Sequence, residues 1–414
     1  MLKTLFYVVL IGSFGACRME KSGTIHLKEG VWRLVMHSPG GELPFTLKIL
    51  KEEGVLRAEA HNQEEILRFD TVWVDETGSV TLGMDHYEST FKGQLSPDGT
   101  RIDGQWTKVT GHDKISKLDF HAEYNNANRF QLEARGEPAS FAGKWSVTFD
   151  NEGDPQPAIA EFSQDGSHIQ GTFLTPTGDY RYLDGSVAGN KLYLSCFDGG
   201  HAFLFTATLQ EDGSLSGDFW SKDTWHETWT AVPDEHAELE DSFQLTALKE
   251  GAPGFRFQFP DMDGEQISQD HPSLNGKVRL ITIFGSWCPN CNDEAPFLQG
   301  LYEKYADQGF EVLGLAFEMT RDEARNIKVL NRFKKKHNLS YRILLAGVST
   351  DKEEAARTLP DLQHVMSFPT TILIDRNGQV NSIHTGFTGP GTGQHFHDLK
   401  KAYQQKIEAL LKES

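Results

Sequence analysis

Ile283-Phe284-Gly285-Ser286-Trp287-Cys288-Pro289-Asn290-Cys291 joins two periodicities. Val278 to Phe284 is an apolar, β-like run, and a helical pattern takes over from Cys288. A Cys-x-x-Cys pair at a strand-to-helix junction reads as a redox motif. Unpaired N–H groups and the positive dipole end of a helix favour a thiolate on the first cysteine, Cys288. Pro289 suits the opening turn, where its missing N–H costs nothing. Cys291 is placed to attack the mixed disulfide that Cys288 forms, which is thiol–disulfide exchange. A structural zinc site would need a second Cys-x-x-Cys or a His pair, and no such second half is found. An inert buried pair is the other alternative, and Trp287 with the strand–turn–helix setting argues against it.

Outward from the motif, the 414 residues suggest two or three domains, and 38% hydrophobic with 24% charged residues is a globular composition. A net charge of −19 argues against nucleic acid as a partner and against a polybasic membrane-binding face. At the N-terminus, Lys3 followed by the apolar run Leu5 to Phe14 reads as a signal peptide over residues 1–16. Phe14-Gly15-Ala16-Cys17 resembles a bacterial lipobox with Phe14 where Leu is usual, so Cys17 is the expected lipidation site. An ordinary signal peptide cut nearby is the alternative. Lipid on Cys17 would hold the protein at a membrane surface, on the periplasmic side of the cell envelope, where disulfides persist.

Residues 17–29 read as a tether, after which some 200 residues are β in pattern. Thr46-Leu47-Lys48-Ile49-Leu50, Ser79-Val80-Thr81-Leu82 and Ala202 to Leu209 alternate with period two. Turn signals such as Pro97-Asp98-Gly99, Asp165-Gly166 and Asp212-Gly213 recur between them. The region also repeats. Gly30-Val31-Trp32 returns as Gly143-Lys144-Trp145, and Asp98 to Trp106 returns as Asp212 to Trp220. Two copies, 30–135 and 136–236, of roughly six to eight strands each, imply duplicated antiparallel barrels or sandwiches. Trp220, Trp225 and Trp229 are expected to pack, with a ligand pocket as the alternative; Trp225 and Trp229 share a strand face. Cys196, in step with Leu192 and Leu194, is expected as a buried free thiol, with a redox partner of the active pair as the alternative.

Residues 237–250 are acidic, a linker or short helix. Beyond them come a helix from Glu294 to Tyr305 bent by Pro296, a strand Glu311 to Phe317 and a basic helix Arg321 to Asn338. A short strand Tyr341 to Ala346, a hairpin about Asn377-Gly378 and a final amphipathic helix Gln394 to Leu411 complete an α/β pattern. His395 and His397 fall on different sides of that helix, so no metal site is expected there.

Ala252-Pro253-Gly254-Phe255 with Phe257, Asp261-Met262-Asp263-Gly264 and Leu274-Asn275-Gly276-Lys277-Val278 precede Trp287-Cys288-Pro289-Asn290-Cys291. Glu294 with Pro296 and Phe368-Pro369-Thr370-Thr371 before Ile372-Leu373-Ile374-Asp375 follow it. In this order the motifs resemble the TlpA/ResA-like membrane-anchored thioredoxins of the thioredoxin superfamily, over residues 251–414. The resemblance implies a thioredoxin-like α/β domain and a reductant of protein disulfides supplied by a membrane thiol donor. It makes Cys288 the attacking thiol, Cys291 the resolving thiol and Pro369 a cis-proline beside them, with Trp287, Pro289 and Phe368 at the substrate surface. Glu294 matches the family's buried glutamate. Spacing of three puts it on the face of Cys291, as a proton carrier or as an acid favouring an early helical turn. No cofactor is expected. The rival readings are an envelope lipoprotein whose β-domains bind a ligand or partner, and a thiol peroxidase, whose usual Thr-x-x-Cys setting Gly285-Ser286-Trp287-Cys288 lacks.

Overall fold

From Gly30 to Pro233, period-two patterning folds as two nine-stranded antiparallel sheets. The structure, a computed structural model, describes residues 26–111, 114–133, 136–348 and 352–413; Cys17 lies outside the described residues. In the first sheet, Gly30–Ser38 pairs with Gly41–Glu52 and with Lys114–Tyr124, and the edge strands are Glu65–Arg68 and Thr71–Val74. Those edges are consecutive in the chain. The N–H groups of Phe69 and Asp70 between them donate to Ala58 and Gly83 at 3.0 and 2.8 Å, so the sheet curls until its edges meet. The second sheet closes by its ladder, because Asp154–Asp165 pairs with both Gly143–Asn151 and His168–Thr175. Both are barrels. The strand count exceeds six to eight in each copy because short edges such as Glu65–Arg68 and Gly178–Asp179 carry too few residues to alternate visibly.

The repeat is visible in the hydrogen bonds. Trp32 Nε1 donates to the Lys28 carbonyl at 3.0 Å, and Trp145 Nε1 donates to the Phe141 carbonyl at 2.9 Å. The second repeated motif, however, is out of register by one residue. Ile102 and Trp106 face the first core, whereas Leu215 and Phe219 face the second. The turn closed by the Ser96 N–H on the Arg101 carbonyl is one residue longer than that closed by Gln210 on Ser214. A one-residue difference flips every later side chain. Trp220 therefore faces outward, against Gly40 of the first barrel. The barrels also share a core: Phe197, on a strand of the second, stacks on Phe45 of the first with ring centroids 4.8 Å apart.

The third part is a five-stranded sheet in the order Arg342–Val348, Phe310–Glu318, Val278–Phe284, Thr370–Ile374, Val380–Thr385. The first three strands are parallel and the last two antiparallel. Helices α1 (Pro289–Tyr305), α2 (Glu323–Lys336), α3 (Lys352–Thr358) and α4 (Gln394–Lys412) connect or close it. Val278–Phe284 is buried along its whole length, as a central strand covered on both faces must be. α1 runs on through Pro296, and α3, too short for a periodic signal, was not expected. The acidic segment after Pro233 forms no helix. It packs on the redox domain through Phe243 against His384 and the Thr385 N–H on the Ser242 carbonyl at 3.0 Å.

The first barrel braces the redox domain on α2. Arg325 makes two bonds to Glu88, at 3.0 and 2.7 Å, and Arg332 donates to the Asp85 carbonyl at 3.1 Å.

Candidate active site

The buried strand Val278–Phe284 ends at Gly285, and the chain turns into α1 with Cys288 as its N-cap and Pro289 in its first turn. Gly285 is needed here, because a Cβ would lie 2.2 Å from the Trp287 indole nitrogen. Cys288 Sγ accepts the Cys291 N–H at 3.4 Å and donates to the Phe368 carbonyl at 3.3 Å. The Phe368–Pro369 peptide bond is cis. Both cysteines are free thiols. Cys288 borders a cavity that Cys291 does not reach, so the two sulfurs stand one behind the other. Burial first, and then the neighbouring Cys288, push the Cys291 thiol well above its ordinary value.

Side chains from the sheet hold this turn. Glu318 accepts both the Ser286 N–H at 3.0 Å and the Ser286 hydroxyl at 2.8 Å, and burial raises its carboxyl to about 7. Trp287 Nε1 donates to the Phe317 carbonyl at 2.9 Å, and its ring meets Phe368 edge-on at 5.5 Å. Asn292 donates to the carbonyls of Ser286 and Cys288 and bonds His337 Nε2 at 2.8 Å.

Glu294 lies one turn beyond Cys291 and is buried. Its Oε2 accepts the Thr282 hydroxyl at 2.7 Å, and its Oε1 has no hydrogen-bond partner among the described residues. Burial raises its carboxyl to about 8, against the smaller lowering effect of Thr282. A helix-start acid would be solvated. This one is buried, one turn beyond Cys291.

Sequence reasoning missed what the second barrel adds. Arg181, in the loop after Gly178–Asp179, is buried and has a left-handed φ of 60°. It donates to the Pro289 carbonyl at 3.2 Å and pairs with Asp293 of α1 and with Glu65 of the first barrel. All three parts of the chain meet at this guanidinium. Burial raises Asp293 to about 8; Arg181 opposes the shift, while Glu65 and Asp179 add to it. Gly178 packs on Asn290, Gly200 on Pro289, and the Ser367 hydroxyl donates to the Thr177 carbonyl at 3.0 Å. No local pattern marks these residues, since each partner is more than 85 positions away.

Trp229 and Cys196 lie in the second barrel's core as expected. Trp225 does not: it shares the inward face of Trp229 but sits at the open end, 47% exposed, lining the cavity. Of the two helix histidines, His395 bonds Glu161 of the second barrel at 3.0 Å.

Residues 247–404 match the Redoxin family. The C-terminal region is a Redoxin domain. The chain is 28% identical over 151 residues to the thiol-disulfide oxidoreductase ResA of Halalkalibacterium halodurans, covering 36% of this chain and 77% of that protein. It is also 28% identical over 156 residues to the thioredoxin-like protein YneN of Bacillus subtilis, covering 36% and 77%. Among solved structures, a thioredoxin-family thiol:disulfide interchange protein from Chlorobium tepidum overlaps 40% of this chain and 99% of its own, with 22% identity and a TM-score of 0.29. The Redoxin domain is a thiol–disulfide oxidoreductase domain of the ResA/TlpA-like kind.

Proposed function

We propose that the chain is a lipid-anchored, extracytoplasmic reductant of disulfides, held at the membrane through Cys17 and supplied by a membrane thiol donor. The observation that carries the chemistry is Cys288 Sγ, capping α1 and touching the Phe368 carbonyl, with Cys291 one turn behind it. Cys288 attacks a substrate disulfide, forming one S–S bond and releasing half of the substrate as a thiol. Cys291 then attacks Cys288 Sγ, releases the second half and leaves the Cys288–Cys291 disulfide. Two electrons and two protons pass from the dithiol to the substrate, and a donor dithiol restores the pair. Glu294, its carboxyl raised by burial to about 8, exchanges a proton with Cys291 as that thiol is consumed or re-formed. Trp287, Pro289, Phe368 and cis-Pro369 form the surface on which the substrate sulfur docks. By resemblance, partner proteins supply the disulfides.

The test is turnover in an insulin-disulfide reduction assay with a dithiol donor. Cys288→Ser abolishes it, and Cys291→Ser stops after one turnover with a mixed disulfide in place. Wild-type rates in both variants would leave a binding protein, and peroxide consumption faster than disulfide reduction would make it a peroxidase.

A further inference from the structure

The second barrel does not end in solvent on the side of Arg181; it ends on the redox motif. A cavity of about 530 Å³ lies between them. Inward-facing rings of that barrel, Phe203, Phe219 and Trp225, form one wall, and Trp287, Cys288 and Phe368 form the other. Thr177, Gly178 and Gly200 press against Ser367, Asn290 and Pro289, so Cys288 is only 7% exposed. A broad protein surface has no approach to this sulfur while the barrel stays seated. A ring-sized molecule does.

The charges on the cavity wall are unequal in their pairing. Arg181 is held by Glu65 and Asp293, and Asp198 by His201 at 3.0 Å. Lys222, in the turn that leads to Trp225, makes no hydrogen bond or ion pair through its ammonium among the described residues. Burial pulls Lys222 below the usual lysine range, with Asp198 and Asp223 opposing. An anion in the cavity would supply the partner this ammonium lacks.

We propose that this cavity is a substrate pocket for low-molecular-weight disulfides that carry an aromatic or similar apolar body and a carboxylate. The body lies among Phe203, Phe219 and Trp225, the carboxylate meets Lys222, and the disulfide sulfur meets Cys288. This rests on the reductase reading and adds a second substrate class that needs no movement of the barrel. The reaction is the balanced exchange given above, with both halves leaving as thiols.

The full chain, reduced, is mixed by stopped flow with 5,5′-dithiobis(2-nitrobenzoate), an anionic aromatic disulfide, and with neutral 2,2′-dithiodipyridine. Each rate is divided by that of dithiothreitol with the same reagent, which removes intrinsic reactivity. The normalised rate favours the anionic reagent. Lys222→Gln lowers it about tenfold for that reagent, the size of one charge-assisted hydrogen bond, and leaves the neutral one within about twofold. Lys222→Arg restores it, and Trp225→Ala slows both reagents. Equal normalised rates, or a Lys222→Gln protein indistinguishable from wild type, would overturn the pocket. Insulin reduction separates the two readings: insulin turned over without anionic preference sinks the pocket alone, whereas no reaction with any disulfide sinks the reductase as well.

Discussion

The two barrels began from one pattern and do different work. The first is filled: Trp106 lies in its core with Nε1 donating to the Ser89 hydroxyl at 2.8 Å, and Phe197 from its neighbour completes the packing. The second carries Phe219 where the first has Trp106, and its mouth opens onto Cys288. One barrel braces the redox domain through Glu88 and the Asp85 carbonyl, and the other walls its candidate active site through Arg181, Lys222 and Trp225. Duplication supplied two rigid scaffolds, and a slip of one residue with one changed turn separated their roles.

The largest effect expected from breaking that division is at Arg181. Arg181→Ala leaves Asp293 and Glu65 buried without their cation, a loss of about 3–5 kcal/mol. Denaturant unfolding should show this loss, and Cys288 should become more accessible to alkylation as the second barrel lifts. Unchanged accessibility would mean that the barrel does not wall the site.

A smaller effect sharpens the electrostatic side. Glu294 titrates at about 8 in the folded chain against an ordinary 4.5. Between those values the folded state binds the extra proton, so the contribution of Glu294 to stability is greatest below 4.5 and falls as pH rises through the window. Glu294→Gln should flatten the slope by up to about 1.4 kcal/mol per pH unit. A slope equal to wild type would place the carboxyl in solvent.

The smallest effect tests the equivalence of the repeats. Trp32→Phe and Trp145→Phe each remove one indole N–H from a backbone carbonyl, and each should cost about 1 kcal/mol in unfolding free energy. Losses that differ widely would mean that the matching Gly-x-Trp openings no longer play matching parts.

Much of this was legible in the chain because it is local. The Cys-x-x-Cys spacing, the Pro in the first turn, Glu294 three residues on and the hairpin at Asn377-Gly378 each need only a few neighbouring residues. The duplication was legible too, but the repeated letters pair Trp106 with Trp220, whereas the faces match Trp106 to Phe219. Identity of letters cannot show that one turn is a residue longer, and with a period of two that residue decides what is inside. Arg181, Lys222 and Trp225 were illegible for another reason. Their partners come from other domains, and a lone Arg, Lys or Trp near a turn carries no pattern to read. For Trp225 the face was right and the height along the barrel was not.

In the proposed mechanism Cys288, at the second barrel's mouth, makes the covalent bond and Cys291 breaks it. The most direct measurement is peptide mass spectrometry of the Cys291→Ser and Cys288→Ser proteins after mixing with a disulfide substrate. A stable mixed disulfide is expected on Cys288 in the first and none on Cys291 in the second. An adduct on Cys291 of the Cys288→Ser protein, formed as fast as the Cys288 adduct, would contradict it.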